Sequence, residues 1–83
     1  MRTLPLIEIK RATRLALRLA NAGVEGIGIE YAELDGMPPF LLVFETAAAP
    51  AECRFTGEIE SSFDSMQESI KAMLAANKII LTE

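Results

Sequence analysis

Five large apolar side chains in succession, Phe40-Leu41-Leu42-Val43-Phe44, constrain this chain more than any other stretch. A half-exposed strand alternates apolar with polar residues, so a run that is apolar on both faces needs cover on both sides. The run before it, IGIEYAEL from Ile27, alternates properly: Ile27, Ile29 and Tyr31 fall on one side of the pleat, and Gly28, Glu30 and Ala32 on the other. Between the two lies Asp35-Gly36-Met37-Pro38-Pro39, a concentration of turn residues. The pattern predicts a β-hairpin with a slightly long loop. Phe40, Leu42 and Phe44 are expected to face inward, leaving Leu41 and Val43 on an outer face that something else must cover.

The flanks supply the remaining elements. Thr3-Leu4-Pro5 offers a start signal and Asn21-Ala22-Gly23 a stop, predicting a helix over 4–22. On it Lys10, Arg14 and Arg18 recur every four residues with Arg11 beside them, opposite an apolar arc of roughly 200° built on Ala12, Ala16 and Ala20, about twice the width an ordinary surface helix needs. Gly23, Gly26 and Gly28 lead from helix to strand, the reverse of the strand-to-helix order in dinucleotide and phosphate sites, so they predict a cap and a turn. After the hairpin, Pro50 interrupts a small-residue connection. Residues 53–59 then alternate as a third strand, with Cys53, Phe55 and Ile59 inward and Arg54 and Glu58 outward. Ser61, Ser62 and Ser65 are candidate caps for a second helix over 63–76, whose stripe is Phe63, Met66, Ile70, Met73 and Leu74. The closing KIILTE predicts a short strand that docks on a sheet edge or a neighbouring subunit, because a frayed end does not carry consecutive large apolar residues.

The predicted fold class is therefore α+β, in the order helix, three-stranded antiparallel β-meander, helix, short C-terminal strand (α-β-β-β-α-β), with both helices on one face of the sheet. Residues 1–83 make one domain. At 83 residues with 51% apolar composition, the chain holds more apolar surface than so small a body readily buries. That favours an oligomer, a homodimer in the simplest case.

Chemistry is sparsely provided. No histidine is present, which removes the commonest general base and metal ligand together. Cys53 is the one cysteine, so no internal disulfide forms and a reducing, cytoplasmic setting is expected. Glu30, Glu33 and Asp35 match no calcium-loop spacing, and no cofactor motif occurs; neither a metal nor a cofactor is expected. The serines sit in cap positions, without a base beside them. The chain is not expected to be an enzyme, nor to span a membrane.

Net charge is −4, but its distribution says more: residues 1–22 carry five Lys or Arg and one Glu, whereas residues 25–68 carry ten Asp or Glu and only Arg54. A polarised molecule of this kind suits a basic partner surface or a second copy of itself.

The order helix, three strands, helix resembles the double-stranded RNA-binding domain, in arrangement of elements over nearly the whole chain. That family's lysine cluster at the start of the second helix is replaced here by SSFDSMQES, acidic at Asp64 and Glu68, so its phosphate contacts are not implied. The order is also similar to the core of the small acidic homodimeric chaperones of type III secretion, whose chains are longer. The profile of one compact acidic domain without catalytic residues is shared by small phage-encoded inhibitors, anti-CRISPR proteins included. Together these point to a non-enzymatic module that binds another protein as an inhibitor, adaptor or small chaperone. The candidate surface is Glu30, Ala32, Leu34, Leu41, Val43, Glu45, Arg54 and Glu58. The alternative is nucleic-acid binding through the basic face Lys10, Arg11, Arg14 and Arg18.

Overall fold

The structure, a computed structural model, describes residues 1–45 and 62–83. The elements run β1 (Arg2–Pro5), α1 (Leu6–Asn21), β2 (Ile27–Ala32), β3 (Phe40–Glu45), α2 (Phe63–Ala76) and β4 (Ile79–Thr82). Among the described residues they form an α+β fold with two separate two-stranded sheets. β2 and β3 pair antiparallel as a hairpin, while β1 and β4 pair in parallel, Arg2 beside Ile79 through Pro5 beside Thr82.

Among the described residues the antiparallel sheet has two strands, and the third expected strand, residues 53–59, lies outside them. The C-terminal strand is present, but its mate is β1 rather than the hairpin edge. β1 arises because Pro5 cannot donate an amide to a helix and biases Leu4 before it toward extended backbone. Pro5 itself is extended, with ψ at 138°, and α1 begins one residue later.

α1 ends in a Schellman motif. The amide of Val24 donates to Leu19 O at 3.1 Å and that of Gly23 to Ala20 O at 3.1 Å, with Gly23 at φ 88°. α2 opens on Ser62, whose hydroxyl accepts from the amide of Ser65, and its bounds are those its stripe predicts. It closes at Asn77, followed by Lys78 at φ 58°.

One core joins these pieces: Leu4 from β1, Ile9, Ala12 and Ala16 from α1, Ile27 and Ile29 from β2, Leu41 from β3, Met66, Ile70 and Leu74 from α2, and Ile79 from β4. α1 lies across the hairpin, and α2 packs mainly on α1 and β4 rather than beside α1 on the same sheet. Thr13 is wholly buried and stays satisfied by donating its hydroxyl to Ile9 O at 2.6 Å. Arg2 fastens the end of α2 by donating to Asn77 O at 2.6 Å, and its guanidinium stands 5.5 Å from the Tyr31 ring centroid.

Candidate functional site

The register of the hairpin decides which side of it can meet a partner. Ile27, Ile29 and Tyr31 stand opposite Glu45, Val43 and Leu41, whereas Gly28, Glu30 and Ala32 stand opposite Phe44, Leu42 and Phe40. Residues directly opposite share a face. Leu41 is therefore on the α1 side with Ile29, and it is 1% exposed. Val43 lies on the same side, packed against the core. This inverts the expected sides of β3: Leu41 and Val43 are covered by α1 of their own chain, and Phe40, Leu42 and Phe44 form the outer face. The physical reason is that β3 is apolar on both faces, so its composition leaves the side open, and the alternating β2 settles it through the pairing.

The other proposed contact residues are scattered differently. Glu30 and Ala32 are half-buried on the outer face, Leu34 is exposed at the hairpin tip, and Glu45 is exposed at the end of β3. Arg54 and Glu58 lie outside the described residues. Phe44 is half-buried because its ring lies over Gly28, where any Cβ would clash with the ring edge at Phe44 Cε2. Leu42 keeps 46% of its surface exposed.

At the edge of β3 a side-chain pair from α1 stands in for a neighbouring strand. Glu8 and Arg11 form a fork, Arg11 Nε to Glu8 Oε2 at 2.7 Å and Arg11 Nη2 to Glu8 Oε1 at 2.8 Å. Arg11 Nη2 also donates to Leu41 O at 2.6 Å, and the Leu41 amide donates to Glu8 Oε1 at 3.3 Å. Both backbone polar groups of Leu41 are thereby satisfied away from β2. The hydrogen bond from Arg11 holds the Glu8 carboxyl below its usual range despite partial burial, and the same bond raises the Arg11 guanidinium. Arg11 is consequently withdrawn from the basic stripe, which keeps Lys10, Arg14 and Arg18 exposed.

Beside this fork runs a groove of about 520 Å³, walled by Pro5, Ile7, Glu8 and Arg11 on one bank and by residues 37–40 with Leu42 on the other. Its apolar members are unusually open for so small a body: Ile7 is 67% and Met37 56% exposed. Sequence reading missed this groove because it joins two segments thirty residues apart; the exposed Ile7 among basic residues was its one local sign. The groove offers shape and apolar surface, not a reacting group.

Tyr31 makes a separate polar knot. Its phenol oxygen is 2.8 Å from Thr3 O and 2.6 Å from Glu33 Oε1, so a single proton serves two acceptors. Burial first, and then the Glu33 carboxylate, push this phenol above its usual range. Its neighbours make it a tie between β1 and β2.

Among the described residues no group of three His, Cys, Asp or Glu is placed to hold a metal ion, and no helix is long and apolar enough to cross a membrane. Comparison of the chain with protein-family models, with curated proteins and with solved structures found no match.

Proposed function

We propose that this chain is a small non-enzymatic binding module that presents the outer face and tip of its hairpin to another protein, as an inhibitor, adaptor or small chaperone, and that it self-associates. The observation carrying this reading is the outer hairpin face itself: Phe40, Leu42 and Phe44 side by side, continued by Leu34 at the tip and bordered by Glu30 and Asp35. An apolar centre with a charged rim is the anatomy of a protein interface. The acidic rim favours a partner with a basic border.

A photo-crosslinking residue in place of Leu34, with one at the exposed Ala72 as control, tests it in a lysate of the native host. A discrete protein adduct at position 34 and none at 72 supports the reading; no adduct at 34 sinks it.

The second reading, nucleic-acid binding, rests on Lys10, Arg14 and Arg18, which remain on the outward side of α1. Titration with RNA and DNA at two salt concentrations decides it: saturable binding that falls steeply with salt, and is lost on Arg14→Glu, would favour nucleic acid over protein.

A further inference from the structure

We infer that the groove between the first turn of α1 and the hairpin is filled by a second copy of this chain, related by a two-fold axis, with Ile7 of each copy seated in the groove of the other. The inference rests on the reading of the hairpin as a protein-binding surface and assigns Met37, Phe40 and Leu42 to self-association, leaving Leu34 and Phe44 for a different partner.

Three observations carry it. First, a two-fold interface uses one patch on both copies, so the protruding part and the hollow that receives it must lie together on one surface. Here they do. Ile7, with two thirds of its side chain exposed, forms the bank of the same groove whose far bank is Met37, Phe40 and Leu42.

Second, the charges inside the groove, Glu8 and Arg11, are paired with each other, and the charges beyond its two banks differ in sign. Lys10 and Arg14 follow Ile7 along α1 by one and two turns, Lys10 on the side of Ile7 turned toward Gln67 and Lys71 of α2; Glu30 and Asp35 belong to the hairpin, Glu30 directly opposite Leu42 in the ladder. A two-fold operation that sets Ile7 against the far bank of the other copy also sets each basic flank against an acidic one. A parallel stacking of like flanks would be repelled.

Third, the occupant must carry an apolar knob flanked by basic residues, and residues 7–14 of this chain are such a segment on a preformed helix. A preformed helix gives up little conformational entropy on docking.

The test uses the whole chain in sedimentation equilibrium over a dilution series. The native chain is expected to reach twice its monomer mass at high concentration and to dissociate on dilution, more readily in high salt. Two doubly substituted chains, Lys10→Glu with Arg14→Glu, and Glu30→Lys with Asp35→Lys, change only exposed or half-exposed side chains; circular dichroism confirms that each folds. Each alone is expected to associate at least about tenfold more weakly than the native chain, since both flanks of its homodimer then carry like charges. Mixed together, they are expected to restore a dimer, because each remaining contact pairs opposite charges.

A native chain that stays monomeric at every concentration overturns the inference. So does self-association that neither reversal weakens, or reversed chains that fail to rescue each other. A monomeric chain that still forms the adduct at position 34 removes the dimer and leaves the binding module standing. A dimer without that adduct does the opposite.

Discussion

Glu8 and Leu41 meet across 33 positions of the sequence, the carboxylate Oε1 of one 3.3 Å from the backbone nitrogen of the other. With Arg11 closing the fork, this contact occupies the β3 edge at Leu41 and sets α1 against the hairpin. The first prediction follows from it. Glu8→Gln leaves Arg11 without its counter-charge and lowers stability by about 1–2 kcal/mol, the usual range for a charge-assisted bond that is partly solvent-exposed. The folded carboxyl titrates below its ordinary 4.5, so its contribution is present above that pH and is lost as pH falls through the depressed value. Urea denaturation midpoints of both chains, measured from neutral to acid pH, should converge as the solution becomes acidic.

The inverted sides of β3 give neighbouring leucines opposite fates. Leu41→Ala opens a void in the core and should cost about 2–5 kcal/mol, whereas Leu42→Ala should cost under about 1 kcal/mol. Chemical denaturation of the two variants checks this; equal losses would return Leu41 to the surface.

The ring of Phe44 and the missing side chain of Gly28 should behave as one unit. Gly28→Ala forces the ring aside and is expected to destabilise by about 1 kcal/mol, yet in a Phe44→Ala background the same change should be neutral or favourable, since alanine suits a strand better than glycine. A double-mutant cycle measures the coupling directly.

At the two ends of α2 the backbone makes simple demands. Ser62→Ala removes the cap and should lower stability by about 1 kcal/mol. Lys78 sits at φ 58°, where a side chain is disfavoured, so Lys78→Gly should raise the melting temperature by an amount equivalent to about 0.5–1 kcal/mol.

How far these features could be read from the residues depends on whether a local pattern decided them. α2 was fully legible because a serine cap, an apolar stripe and Asn77 agree on the same bounds. The hairpin was legible as an element through its turn residues, and Gly36 indeed takes φ 81° where the amide of Met37 donates to Leu34 O. Which side of β3 is buried was not legible from β3 alone, since both its faces are apolar. Here the regular partner strand carried the information. β1 escaped because a four-residue strand that ends on a proline looks like the approach to a helix; what makes it a strand is its pairing with β4, far along the sequence. The Glu8–Arg11 fork reads locally as an ordinary ion pair on a helix. Only the fold reveals its third member.

The parallel pairing of Arg2 with Ile79 has a bearing on synthesis. A ribosome delivers β1 well before its mate, so Leu4 waits without its β4 neighbour while everything between them is being made. Translation halted before residue 79 would yield a chain able to coil its helices but not to seal its hydrophobic interior, and such a product is the kind that cellular proteases remove.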